Sequence, residues 1–431
     1  MNSNTNFIDF VSKTTDKLNS NNDIANEFRL NNLSKLKQIG LPTHRKGNEE
    51  WKYTNLNKFT SINYILPVVE TEDSNLKSQE LSPKEFEVIN IINGKLSKKN
   101  NINNSYINIK SSSINTLTTN ELNKFNSLLG DKNEQMAILN SALCTDYIFI
   151  NITGGNVKLL INFINSNNSE NFILSNPKVF INIDSKSQLE LIENHYGNKN
   201  SKYTSNNVLE IKINKQSNLK HYRLLEESEN AIHTNTTRVY LDEKSKFKSF
   251  AFSKGAQMAR YDLKVSMPHE HSEVELNGLY CTSGKQHLDN YINLDHIAPH
   301  CISRINYKGI LNGESHAIFG GTVLVRPGAI KTDSRQTDKN LVLSPKAEID
   351  SKPSLFIYVD DVIAGHGATA GNIDERTVYY MRSRGLDLET ASKMLISGFA
   401  MEIIDKVTIN ELNNYLIKTY INTLPSYKFD F

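Results

Sequence analysis

A short motif recurs along the middle of the chain at a nearly constant step, and it limits the architecture more than any other feature. A polar turn, a serine, a spacer and an apolar residue appear as DSKSQLEL (184–191), NKQSNLKHY (214–222), DEKSKFKSF (242–250) and, more loosely, EHSEVEL (270–276). The serines fall at 187, 217, 245 and 272, so the steps are 30, 28 and 27. A later copy, SPKAEID (344–350), puts Ala347 in the serine place. Equal steps mean stacked units. The runs between these turns alternate with period two, as in VFINI (179–183), LEIKI (209–213), RVYL (238–241) and TVLV (322–325). Period-two strands in a stack give a β-solenoid whose coils pair about 4.8 Å apart. An antiparallel sandwich with regular hairpins is the competing reading. The scarcity of Asn-Gly and Asp-Gly between the runs counts against it.

The flanks differ. Residues 25–42 space Phe28, Leu30, Leu33, Leu36 and Ile39 at helical intervals and stop at Gly40 and Pro42. Residues 45–56 carry the only tryptophan, Trp51, read with Tyr53 as an anchor of this arm on the core. Residues 95–105 read as a loop. After Gly371 the helical period returns. A helix over 374–384 stops at Gly385. Asp387 caps 388–404, and Thr408 with Glu411 forms a capping box for 410–424. Leu395, Phe399, Ile403 and Ile404 make an apolar stripe. The expected division is a mostly helical region at 1–90, a β-solenoid core at 91–372 and a helical region at 373–431.

Charge and cysteine content narrow the function. Among 431 residues, 49 basic and 47 acidic side chains leave a net charge of +2, which makes no case for nucleic acid or an anionic membrane. No apolar run of about 18 residues predicts a membrane span. The N-terminus lacks a charged-then-apolar signal pattern, and Cys144, Cys281 and Cys301 are far apart with no CxxC pair, so a reducing cytoplasm is expected.

The chemistry concentrates in 355–385. An apolar run (355–359) meets Asp360 and Asp361. A glycine-rich turn then holds His366 between Gly365 and Gly367, which leave the imidazole uncovered. The glycine spacing is GxGxxxG with no second βαβ unit, which argues against a dinucleotide site. Gly284-Lys285 lacks the P-loop spacing, so no ATP hydrolysis is expected. His269 and His271 share a face if their segment is a strand. His296, His300 and Cys301 are candidate metal ligands if one turn gathers them, although such clusters more often satisfy turn backbone. Adjacent Asp360 and Asp361 point apart on an extended chain and are expected to bond backbone amides rather than act as an acid/base pair. No Ser/His/Asp arrangement is readable.

Several strings together resemble the SufD branch of the SufB/SufD family of the SUF iron–sulfur cluster assembly system. They are EEWKYTNL (49–56), GAQMARYDLKV (255–265), LDHIAPHCISRINYKGIL (294–311), the block 319–362, GHGATAG (365–371) and YYMRSRGLD (379–387). The resemblance implies a right-handed parallel β-helix between helical regions and a non-enzymatic role. It implies pairing with a SufB-like paralogue, binding of a SufC-like ABC ATPase, and delivery of a nascent cluster to apo iron–sulfur proteins. His366 inherits the metal role, with its other ligands supplied by the partner. No cofactor would be held stably by the chain alone, and the cluster would reside only transiently in the complex. Tyr379, Tyr380, Arg382, Arg384 and Gly385 fall in the expected ATPase-docking region. A homodimer through the face meant for SufB is an option for the isolated chain. One departure stands out: many relatives have a cysteine two places before the histidine, and here that place is Ala364. The alternatives are a β-solenoid carbohydrate-active enzyme, for which no carboxylate cluster is visible, and a purely structural scaffold.

Overall fold

The computed structural model describes residues 3–18, 23–44, 48–67, 81, 83–113, 116–130, 133–167 and 169–424. Residues 45–47 of the tryptophan segment, 68–80 of the expected N-terminal region and 425–431 of the C-terminal region lie outside them.

The repeat is a β-solenoid. Each coil contributes one strand to each of two parallel sheets, so every sheet pairs alternate strands of the sequence. Seven coils run from Lys178–Ile183 with Gln188–Gly197 to Glu348–Ile357 with Val362–Gly371. Alternation selects what faces inward. In one sheet Ile150, Ile181, Ile211, Val239, Val265, Leu294, Val323 and Leu355 stand in register, one per strand. Branched side chains stacked this way fill the interior between the sheets.

The recurring serine is a buried turn device. Ser217 Oγ donates to Asp184 O (2.7 Å), Ser245 Oγ to Asp242 O (2.6 Å) and Ser272 Oγ to His269 O (3.0 Å). The residue before it takes a left-handed backbone in each coil: Lys186, Gln216, Lys244, His271, His300 and Lys331, with φ of 57° to 66°. The column therefore continues through Cys301 and Thr332, whose Oγ1 donates to Ala329 O (2.8 Å). Ala347 sits elsewhere. It precedes Glu348, which pairs with His316, so it belongs beside Ser315 at the other edge of the coil. The SPKAEID string is thus a different turn of similar composition, not a later copy of the serine motif.

Helices cover the outer faces. Ser3–Lys17, Asp23–Ile39 and Gln135–Leu143 pack Phe7, Leu36 and Leu139, together with Trp51 and Phe59 of the intervening segment, over Ile232 and Met258 of the first sheet. Trp51 is buried, as an anchor requires, and its ring lies 4.0 Å from the Arg260 guanidinium. Glu375–Ser383, Leu388–Ile404 and Asn410–Thr419 pack Ile396, Ile403, Leu412 and Leu416 over Tyr222, Phe250 and Leu279 of the second sheet. Asp374 and Asp387 cap the first two. Thr408 does not cap the third: Ile409 holds that position, while Thr408 Oγ1 faces Lys220 and Tyr222 of the solenoid. Residues 95–105 include a two-residue strand, Lys95–Leu96, before irregular chain. No helix among the described residues is long and apolar enough to cross a membrane.

Candidate functional site

His366 lies on the last strand of the second sheet, Val362–Gly371. The glycine-rich segment is that strand and not a turn, because Val362 through Gly371 pair residue by residue with 332–341. Gly365, Gly367 and Gly371 do not adopt positive φ. A Cβ at any of them would meet nothing within 4 Å, so these glycines neither bend the chain nor relieve a clash within it.

Register fixes which way the imidazole points. Leu159, Leu191, His221, Ser249, Leu276, Ile305, Gln336 and His366 form one row across the sheet. Every member before His366 faces the solenoid interior. In-register parallel neighbours project to the same side, so His366 continues the interior row. No further coil covers it, and it is exposed. Both sheets end here, each with one edge of backbone donors and acceptors not used by any described strand. Apolar side chains ring this end: Phe356 (50% exposed), Tyr358 (62%) and Ile363 (62%).

Beneath the rim, polar groups continue inward. Gln336 Nε2 donates to Gly321 O (3.1 Å). Asp338, under Ala368, accepts from Ser351 Oγ (2.6 Å) and Asn340 Nδ2 (2.7 Å). Burial pushes its carboxyl up to about 6, against the pull of those donors. Ala364 stands in register with buried Ser334, so this strand offers no thiol.

The other sequence candidates do not converge. Asp360 and Asp361 lie in the bend before the last strand. Asp361 pairs with Lys331 Nζ (2.8 Å) instead of capping amides with its side chain. His269 and His271 occupy a turn, not a strand, and His271 stacks on His300 of the next coil with ring centroids 5.0 Å apart. His296 is buried against Ser303 Oγ (2.9 Å), and burial pushes its pKa down to about 4. Cys301 fills the turn-serine position, with Sγ 3.4 Å from His269 O. His296, His300 and Cys301 therefore point to different places. Of the helical candidates, Tyr379 (75% exposed) and Tyr380 (59%) project to solvent, with Arg384 5.3 Å over the Tyr380 ring. Arg382 and Gly385 are exposed beside them, Gly385 at φ +97°.

One constellation escaped the sequence reading. Glu193, His195, His221, Arg223, Glu227 and His233 are all buried inside the early coils. Glu193 receives His195 Nε2 (2.5 Å), His221 Nε2 (2.8 Å) and Asn235 Nδ2 (2.9 Å). Burial opposes the charge, yet these donors hold its carboxyl well below the usual range. The available signal was period-two alternation: in LELIENH, Glu193 and His195 continue the inward row begun by Leu189 and Leu191.

Comparison with known proteins follows the fold. A family profile described as "SUF system FeS cluster assembly, SufBD core domain" matches residues 163–399, and one described as "SufBD protein N-terminal region" matches 1–159. The chain is 28% identical over 398 residues to an iron–sulfur cluster assembly SufBD family protein of Synechocystis, covering 86% of this chain and 85% of that one. It is 32% identical over 215 residues to the iron–sulfur cluster assembly protein SufD of Escherichia coli (50% and 51%). It is 32% identical over 250 residues to the chloroplast protein ABCI7 of Arabidopsis thaliana (57% and 52%). The matches to the latter two span about half the length of those relatives.

Proposed function

Because the chain belongs to the SufBD family of SUF iron–sulfur cluster assembly proteins, we propose that it is a SufD-like, non-catalytic subunit whose open solenoid end receives a SufB-like paralogue. A nascent cluster is built at that junction and passed to apo iron–sulfur proteins in the cytoplasm. A SufC-like ATPase docks on the C-terminal helices around Tyr379, Tyr380, Arg382, Arg384 and Gly385.

One observation supports this reading above the rest: His366 ends an interior-facing row at the uncapped end of both sheets. A second solenoid set end to end would continue the strand ladders and bury the apolar rim. His366 would then lie inside the joint, facing ligands of the partner. A single imidazole cannot hold a cluster, so those ligands must come from the other chain. A site with few thiolates releases its cluster readily, which suits transient residence. The family match sets aside the carbohydrate-active alternative.

The test is co-expression with SufB- and SufC-like partners. The wild-type complex is expected to carry visible iron–sulfur absorbance. His366→Ala is expected to keep the complex and lose most of that absorbance. Full absorbance in the variant leaves only a scaffold role for this chain.

A further inference from the structure

The inside of a solenoid is dry, and charge placed there is costly unless it is paired or bound to a metal. The coils over 189–240 bury a cluster of charged and titratable groups. Glu193 and Glu227 are fully buried, and Arg223 is the buried cation beside them. His195 and His233 lie against these two carboxylates and complete the buried cluster.

Hydrogen bonding fixes the ring tautomers. Glu193 is a carboxylate and only accepts, so His195 Nε2 carries the proton between them (2.5 Å). His195 Nδ1 is left as a bare lone pair, buried and without a partner among the described residues. A guanidinium only donates, so His233 Nε2 accepts from Arg223 Nη2 (2.9 Å), and His233 Nδ1 holds its proton toward Glu227 Oε1 (3.1 Å). One ligand atom from each of His195, Glu227 and His233 lies within 4.8 Å of the others.

We propose that His195, Glu227 and His233 form a buried binding site for one divalent first-row transition-metal ion, with zinc as its probe, inside the solenoid and apart from His366. Two histidines and a carboxylate are a recognised zinc ligand set. Ligand atoms about 2.1 Å from an ion are about 3.4 Å apart, so the triad closes by roughly an ångström. Glu193 orients His195 through its far nitrogen, as carboxylates behind metal-bound histidines do. The ion takes the place of the His233 Nδ1 proton, which leaves to solvent, and Arg223 supports the resulting imidazolate at Nε2. Two carboxylates and one imidazolate then balance one guanidinium and a divalent ion. Glu227 also borders a cleft of about 550 Å³ shared with Lys254, Cys281 and Tyr420, although its carboxylate is closed off from solvent.

The experiment loads the purified full chain with zinc, removes loosely held metal by gel filtration over a weak chelator, and counts zinc per chain. One equivalent is expected. His195→Gln and Glu227→Gln, checked for folding by circular dichroism, are expected to retain less than a tenth of that. Glu193→Gln is expected to weaken affinity by about 10- to 100-fold. Cobalt in place of zinc is expected to give d–d bands without thiolate charge transfer, a readout on the wild-type chain that no variant's folding can confuse. A His271→Ala/His300→Ala chain is expected to keep its equivalent, because that exposed pair lies in a different place. A folded wild-type chain holding under 0.1 equivalent overturns the proposal, as does full retention in folded His195→Gln or Glu227→Gln.

Discussion

His366 and Gln336 are register partners on the last two strands of one sheet, yet Gln336 is 1% exposed and His366 is open to solvent. The difference is one coil. Gln336 is roofed by the strand that carries His366, and His366 is roofed by nothing in its own chain among the described residues. The pair separates a residue that serves folding from one that costs folding little. His366→Ala is expected to leave the urea midpoint nearly unchanged, within about 0.5 kcal/mol. Gln336→Ala removes a buried bond to Gly321 O and empties a packed interior position, and is expected to cost about 1–3 kcal/mol. Chemical denaturation of the two variants in parallel checks this. An equal loss in both would mean that His366 is a core residue.

The open end has a consequence for the chain alone. Ile363 and Tyr358 lie beside unpaired sheet edges, which favour association with another edge. Without a paralogue the chain is expected to dimerise through this end. Ile363→Arg is expected to shift sedimentation toward monomer without changing the circular dichroism spectrum. A dimer as tight as wild type would place self-association elsewhere.

Asp338 makes stability depend on pH. Its folded pKa, near 6, is raised above the ordinary carboxylate value by burial. The fold therefore favours the protonated acid. That contribution is complete below about pH 4, and it is lost as pH rises through 6. At pH 7.5 the buried carboxylate is a cost on the order of 1–3 kcal/mol. Asp338→Asn keeps an acceptor for Ser351 and is expected to stabilise the chain at pH 7.5 but not at pH 4. Denaturation midpoints at the two values decide it, and an unchanged difference between them would assign the pH dependence to other groups.

The serine column bears on how much of the fold was legible. Stacked coils and most turn positions followed from a repeat near 28 residues, because each copy must place its serine and its inward apolar residue alike, and the flanking helices followed from their own apolar spacing. The ends of that pattern were harder to read. Cys301 and Thr332 continue the column with different side chains that reach the same kind of turn carbonyl, while Ala347 mimics it in another turn. GHGATAG read as a turn because glycine suggests bending, yet an edge strand tolerates glycine wherever no neighbour needs a side chain. His366 was singled out by its flanking glycines and by the family resemblance, and its exposed place on the last strand needed the register. The buried Glu193 and His195 were not singled out, because two polar residues in an apolar alternation look like a solvent face until register shows that they point inward.

That lesson applies to Cys301. As a turn-serine surrogate, its thiol is expected to serve the turn and not a metal. Cys301→Ser is expected to change stability by less than about 1 kcal/mol and to leave cluster absorbance of the co-expressed complex intact. Cys301→Leu overfills the turn and is expected to cost about 1–3 kcal/mol. Loss of absorbance in a folded Cys301→Ser complex would restore the thiol as a ligand.

The glycines divide the same way, and here distance decides. A Cβ on Gly321 would lie 2.3 Å from Gln336 Nε2 and 2.8 Å from its Cδ, inside the packed solenoid. Gln336 cannot retreat without giving up Gly321 O, so Gly321→Ala is expected to destabilise by about 1–3 kcal/mol. Gly365 and Gly367 have open space where a Cβ would go, and their backbone is extended. Alanine there meets no atom of this chain and is expected to leave the isolated chain as stable as wild type. The partner is the discriminating reagent. If a second solenoid closes over this strand, Gly365→Ala and Gly367→Ala put methyl groups into that joint and weaken the complex while sparing the free chain. Unfolding midpoints of the isolated variants, set beside their affinity for a SufB-like partner, measure both halves. Unimpaired partner affinity in both alanine variants would move the joint away from the His366 strand.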